Sequence, residues 1–338
     1  MVRVKLEDVC ERGTSNLKMS DVTDLSGNYP IYGAAGYIGN VDFYHQINPY
    51  VAIVKDGAGI GRAMLCPAQS SIIGTMQYLL PKKNILPRYL YYVVKYMHLE
   101  KYFTGETIPN IYFKDYKNET FNLEALERQK EIVTVLEKCE KVIEYRKREL
   151  NELDSLIKAR FVEMFGDPIY NANNLPMMCL NDLGVWNSGG TPSRTNPAYF
   201  TGEIDWYSAG ELNTLYLEGS IEKITEEAIQ ESAAKLFKAG SMLVGMYDTA
   251  AFKMGILKKA SASNQACACI EPNETVNIVW LYYSLQLMKE HFLSQRRGVR
   301  QKNLNLGMIK GFEIPIADRG KQDEFVCFAE QVDKSKVV

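Results

Sequence analysis

From Glu124 to Phe165 the chain runs for 42 residues without a glycine or a proline. The two residues that most readily break a helix are absent, and helix-favouring Glu, Lys, Arg and Leu dominate. Alternating steps of four and three land on Ile132, Leu136, Cys139, Ile143, Arg146, Leu150, Leu153, Ile157, Arg160 and Met164. Eight of these ten are apolar, the pattern of a coiled-coil seam, with Ile132, Leu136, Ile143, Leu150, Leu153 and Ile157 as its interface. Nine basic and ten acidic residues nearly cancel over the same stretch, as on solvated flanks. Gly166-Asp167-Pro168 stops the helix. At ~1.5 Å per residue the rod measures roughly 60 Å. It cannot bury its stripe alone, so it needs a second helix.

The flanks read differently. The chain has 338 residues, 46% hydrophobic and 24% charged, enough for two globular domains. Before the rod, strand-like runs such as Tyr50–Val54 and Ala63–Cys66 precede a helix candidate from Tyr89 to Met97. After it, Ser241–Met246 and Gly255–Leu257 precede a helix candidate from Val279 to Met288. A weak repeat links the two. Asp56 matches Asp248, and Leu90-Tyr91-Tyr92 matches Leu281-Tyr282-Tyr283 at an offset of 191. Lys117, Gln129, Glu131 and Val133 match Lys310, Gln322, Glu324 and Val326 at an offset of 193. The expected fold is α+β: two similar globular domains, 1–123 and 166–316, separated by a long coiled-coil helix, 124–165. A second helix begins in 317–338 and is truncated.

Several function classes are disfavoured. Thirty-nine basic against 41 acidic residues give a net charge of −2, so the chain is not a uniformly basic nucleic-acid binder, although a local patch remains open. The start has no apolar signal core, no stretch suits a membrane helix, and seven scattered cysteines do not suggest a disulfide framework. A cytoplasmic protein is expected. No zinc-binding His-Glu-x-x-His and no phosphate loop ending in Gly-Lys-Ser/Thr occurs. His45, His98 and His291 have no motif neighbours. Gly57-Ala58-Gly59-Ile60-Gly61 follows a strand but leads into another, which favours a hairpin turn over a nucleotide cradle. Asn196-Pro197-Ala198-Tyr199 departs by one residue from an amino-methyltransferase signature and lacks a glycine-rich cofactor strand. Cys267 and Cys269 alternate as on a strand and read as packing rather than metal ligands. No catalytic residue and no metal site is expected.

A local basic cluster remains. Lys289, Arg296, Arg297, Arg300 and Lys302 lie within fourteen residues against one acid, Glu290, with Gln301 and Asn303 able to read adenine edges. Arginine also reads guanine or clamps phosphate, so Arg296, Arg297, Arg300, Lys302 and Asn303 are candidate DNA contacts. The bland alternative is a solvated loop at a helix end. In the first domain the candidates are Lys55 and Arg62 beside the glycine turn, with Asn110 and Lys114.

This arrangement resembles the specificity subunits of type I restriction–modification enzymes over almost the whole chain. The resemblance is carried by the rod, which closes at Phe161-Val162-Glu163-Met164-Phe165-Gly166-Asp167-Pro168, and by two junctions. These are Phe121-Asn122-Leu123-Glu124-Ala125-Leu126-Glu127-Arg128-Gln129 and Ile314-Pro315-Ile316-Ala317-Asp318-Arg319-Gly320-Lys321-Gln322. The resemblance implies a non-catalytic subunit whose two target-recognition domains each read half of a bipartite site in double-stranded DNA, with the helix setting the spacing. It implies methyltransferase (modification) and motor–nuclease (restriction) subunits as partners. They carry S-adenosylmethionine, ATP and Mg, and this chain binds no cofactor itself. The short second helix departs from the family: either the chain is truncated or a homodimer through the helices completes the coiled coil. A different reading, a coiled-coil protein-interaction scaffold without DNA specificity, draws on the near-neutral charge and 21 tyrosines. A third is a degenerate methyltransferase around Asn196 to Tyr199.

Overall fold

The computed structural model describes residues 2–23, 26–104, 109–295 and 303–336. Two compact units emerge, Met1–Tyr145 and Arg146–Val338, and the boundary between them falls inside one helix.

Unit 1 begins with β1 (Val2–Lys5), a short α1 (Leu6–Val9) and β2 (Cys10–Thr14), followed by β3 (Tyr29–Gly33) and β4 (Gly36–Val41). Next come β5 (Tyr50–Val54), β6 (Ala63–Cys66), β7 (Ser71–Ile72) and β8 (Met76–Pro81). Helix α2 (Pro87–Met97), α3 (Phe113–Tyr116) and β9 (Thr120–Leu123) lead into α4 (Leu126–Phe165). Pro87 opens α2, where its missing amide hydrogen costs nothing. A four-stranded sheet runs in the order β2-β8-β5-β6 and a three-stranded one in the order β4-β3-β7. The unit's two ends meet in the antiparallel ribbon β1–β9, with Val2 opposite Leu123. All five residues of β5 are buried, so it reads as an unbroken apolar run. Val51, Ile53 and Leu79 of the sheet pack with Leu90 and Val94 of α2.

Unit 2 repeats the plan. Its ends pair through β10 (Met177–Cys179) and β19 (Glu313–Pro315). Between them lie β11 (Gly184–Ser188), β12 (Ile204–Tyr207), β13 (Tyr216–Leu217) and β14 (Glu222–Ile224). These are followed by α5 (Glu226–Glu231), β15 (Met242–Gly245), β16 (Met254–Leu257), β17 (Ala262–Ser263) and β18 (Cys267–Pro272). Helices α6 (Ile278–Ser294) and α7 (Leu306–Lys310) precede β19, and α8 (Arg319–Ser335) follows it. The main sheet is β11-β18-β15-β16-β13 and the smaller one β14-β12-β17. In both units the small sheet contains one parallel pair, β3–β7 and β12–β17, made with a strand that precedes the last strand of the main sheet.

The junction between helices is the same in both units. Gln129 is fully buried; its amide donates to the carbonyls of Asn84 and Glu124 at 2.9 Å each, and its oxygen accepts from Leu86 N at 2.8 Å. Gln322, also fully buried, donates to Thr275 O at 3.2 Å and Ala317 O at 2.9 Å and accepts from Asn277 N at 2.8 Å. Each glutamine thus ties the start of one helix to the N-terminal cap of another, satisfying groups that burial would otherwise leave unpaired.

Helix α4 serves each unit with a different part of its length. Ile132 is half-buried against the unit 1 core, Leu136 is half-buried, and Ile143 is 55% exposed. Leu150 is half-buried, Leu153 packs on the unit 2 core, and Ile157 lies fully inside it with Phe161 and Phe165. The seam expected from the sequence ends on Arg160 and Met164, both half-buried; the buried positions here are one residue further on. A straight helix falls about 20° short of two full turns per heptad, so over four heptads the buried face moves on by nearly one residue.

Candidate nucleic-acid interface

In unit 1 the β5–β6 connection is a tight turn. Gly57, Gly59 and Gly61 all have positive φ, at 85°, 85° and 80°. Val54 N donates to Arg62 O at 3.0 Å and Gly61 N to Val54 O at 2.9 Å, closing the hairpin that the glycine spacing predicts. A side chain at Gly61 would come within 2.4 Å of Glu100 N, so glycine also permits this close approach.

A second loop is laced to that turn. Gly57 N donates to Pro109 O at 2.8 Å and Ile111 N to Lys55 O at 2.9 Å. Asn110 Oδ1 accepts from Thr104 Oγ1 at 2.6 Å. Lys55, Arg62 and Asn110 are thereby brought to one loop cluster. Lys55 is half-buried with its Nζ 3.7 Å from Asp56, and Arg62 is exposed. Lys114 is exposed on the following helical turn, its Nζ 5.3 Å from the centre of the Tyr112 ring.

Unit 2 builds the same cluster without the glycines. Gly245 N donates to Lys253 O and Phe252 N to Gly245 O, both at 2.8 Å, closing the β15–β16 turn. Asp248 and Phe252 take the positive φ there, at 51° and 59°. Leu304 N donates to Met246 O at 2.9 Å, and Asp248 N donates to Asn303 Oδ1 at 3.1 Å. Asn303 therefore orders the turn with its side-chain oxygen, leaving its amide NH2 for a partner. Arg296, Arg297, Arg300 and Lys302 lie outside the described residues.

One cation of unit 2 has no place in the sequence reading. Arg194, in the Gly189–Asn196 loop, pairs with both oxygens of Glu222, the second at 2.7 Å, and lies 4.2 Å over Phe200 and 5.2 Å from Trp206. The guanidinium hydrogen bond holds the Glu222 carboxyl below its ordinary value. Its charge is paired with Glu222 at a half-exposed site, so Arg194 ties this loop to β14. The only signal in the sequence is the density of small polar residues around it. Asn196 accepts from Ala198 N at 3.2 Å and caps a short helical turn, and Tyr199 donates to Glu231 at 2.8 Å. Cys267 and Cys269 are buried in the core, where burial pushes the Cys267 thiol up to about 12.

The family model described as type I restriction modification DNA specificity domain matches residues 1–155 and 174–337. A specificity subunit of the type I restriction enzyme EcoR124I/EcoR124II from Escherichia coli is 23% identical over 217 residues, 62% of this chain and 52% of that protein. The MjaIX specificity subunit from Methanocaldococcus jannaschii is 25% identical over 159 residues, 46% of this chain and 37% of that one. The chain thus spans about half, or less, of the curated relatives it matches. In fold it is similar to the S subunit of a type I system from M. genitalium, with a TM-score of 0.61 and 13% identity, covering 99% of this chain and 90% of that one. A chain solved in work on assembly and conformational transition of the type I R-M system gives a TM-score of 0.54 at 14% identity, with the same coverage. With both units matched by the family model, the chain belongs to the type I restriction modification DNA specificity family.

Proposed function

We propose that this chain recognises a bipartite site in double-stranded DNA, each unit reading one half and α4 setting the spacing. The observation that carries this reading is the repeated loop cluster. In both units a β-hairpin turn is laced to the loop after the long helical element, which carries Asn110 or Asn303 at the same place. Such a composite of two loops presents amide and basic groups together, as base-edge readout requires. The chain acts without chemistry of its own. Modification and motor–nuclease subunits join it, bringing S-adenosylmethionine, ATP and Mg, and supply much of the electrostatic affinity that a net charge of −2 does not. The complex works in the cytoplasm, and a second copy pairs with this one through the helices. Among the described residues no helix is long and apolar enough to cross a membrane.

The test is selection from a randomised duplex pool at two salt concentrations, with and without a cognate modification subunit. Enrichment of two short half-sites at fixed spacing supports the reading. Asn303→Ala and Arg62→Ala are each expected to relax or weaken one half-site, by about 1–3 kcal/mol for a base contact. No enrichment with the modification subunit bound favours the protein-interaction scaffold.

A further inference from the structure

The turns of the two loop clusters run in one register, 191 residues apart. Val54 N donates to Arg62 O at 3.0 Å and Gly61 N to Val54 O at 2.9 Å. Their counterparts are Gly245 N to Lys253 O and Phe252 N to Gly245 O, both at 2.8 Å. The lacing bonds agree, Ile111 N to Lys55 O and Leu304 N to Met246 O at 2.9 Å each. Tyr92 and Tyr283 carry the same offset into the helices, donating to Glu140 at 2.7 Å and to Asp333 at 3.3 Å. In this register Asp248 stands for Gly57, both with positive φ, one residue away from the match with Asp56 read in the sequence. Lys253 stands for Arg62. The sequence hides this pair, because Lys253 lies between Phe252 and Met254, outside any basic run.

The fold neutralises neither charge. Arg62 is exposed, and a side chain at Gly59 would strike its guanidinium, which lies back over the tip of the turn. Lys253 is half-buried, and its Nζ donates to Gly210 O at 3.4 Å, an oxygen that also accepts from Asn213 Nδ2 at 2.8 Å. A neutral carbonyl leaves the ammonium its charge and two further donors. Among the described residues neither cation has a carboxylate partner, whereas Lys258 and Lys259 nearby pair with Glu218 at 2.8 Å and Asp205 at 2.9 Å. Each cluster therefore combines one amide side chain, Asn110 or Asn303, with one uncompensated cation. The residue types separate their tasks. Bidentate reading of guanine favours the planar fork of arginine, and lysine is not a conservative exchange there. A phosphate asks for positive charge, which either residue supplies. What the two units have in common at this place is the charge without the fork.

From this we infer that Lys253 and Arg62 are the phosphate anchors of the two clusters, each holding the DNA backbone while the amide of its unit faces the base edges. This rests on the DNA-recognition reading above and divides the labour within it. The experiment measures binding of the full chain, with its modification subunit, to the randomised duplex pool, followed by selection from the same pool. Lys253→Gln and Arg62→Gln are each expected to reduce the slope of log affinity against log salt by about 0.9, so that the loss is about threefold larger at about 50 mM than at about 200 mM salt. The selected half-sites stay the same. Lys253→Arg and Arg62→Lys keep the wild-type slope, and so does Lys258→Gln, whose ammonium is already paired. A slope unmoved by Lys253→Gln overturns the inference, as does a half-site relaxed at one position by that change, which would make Lys253 a base contact. The two readings fail differently. Half-sites enriched with an unmoved slope count against the anchors alone, whereas a reduced slope with no half-site enriched by the wild-type chain supports the anchors and counts against sequence reading.

Discussion

Units 1 and 2 share their joints and differ in their filling. The joints are hydrogen-bonded and nearly superimposable in sequence: Gln129 with Gln322, Tyr92 with Tyr283, and the lacing of the hairpin turn by the loop that carries Asn110 or Asn303. The filling is apolar and has been exchanged. Where unit 1 has Tyr89, Ile132 and Leu136 around an open groove, unit 2 has Trp280, Phe325 and Ala329 beneath Phe161 and Phe165. A buried polar joint works only with one set of partners at one geometry, so it resists replacement. An apolar contact needs only volume and shape, so a large residue on one side and a small one on the other serve as well as the reverse.

The strongest way to break this comparison is to empty one filling. Phe161→Ala, at a side chain 1% exposed, is expected to cost unit 2 about 3–5 kcal/mol. Leu136→Ala, on a wall already open to water, costs unit 1 less than about 1 kcal/mol. Hydrogen exchange read separately for the two units checks this, and equal losses would show that the unit 1 groove is as well packed as its counterpart. The joints give the opposite expectation. Gln129→Ala and Gln322→Ala each strand an amide hydrogen and two carbonyls, for about 1–3 kcal/mol apiece, and the two costs match within measurement. A large difference would mean that one glutamine is dispensable and the symmetry only formal.

The smallest effect is a charge that only unit 2 has. Asp323, where unit 1 has Lys130, accepts from Asn277 Nδ2 at 2.7 Å and Arg319 Nε at 3.0 Å, and these bonds hold its carboxyl below the ordinary 3.8. A lowered folded value means the contribution is complete above about pH 4 and disappears as the pH falls through that lowered value. The side chain is half exposed, so solvent screening limits the effect to a few tenths of a kcal/mol. Asp323→Asn should flatten the acid limb of unit 2 stability by that amount and leave neutral pH almost untouched.

Much of this plan is legible in the sequence. The long helix follows from 42 residues without a breaker, and it is observed from Leu126 to Phe165. The repeat is visible because its matched residues sit at joints; Gln129 and Gln322 align even though nothing in the sequence says that they are buried. The glycine turn of unit 1 is readable, whereas its counterpart is hidden because Asp248 and Phe252 adopt the left-handed backbone without glycine. The open groove is not legible at all. Heptad spacing says that a helix wants a partner, but the partners of Phe161 lie more than a hundred residues further on. Of the candidate contacts, Lys55, Arg62 and Asn110 converge because the backbone laces two loops together, and spacing alone cannot foresee that.

The β1–β9 and β10–β19 ribbons have a consequence for how the chain is made. Each clasps the first strand of a unit to its last, Val2 to Leu123 and Met177 to Pro315, so neither unit can close until its final strand leaves the ribosome. Phe161 and Phe165 emerge well before Trp280 and Phe325, the rings that cover them. At ~5–20 residues per second that wait lasts roughly 10–30 s, with two phenylalanines bare on a nascent helix. For this chain, synthesis rate and chaperone supply bear on yield alongside final stability.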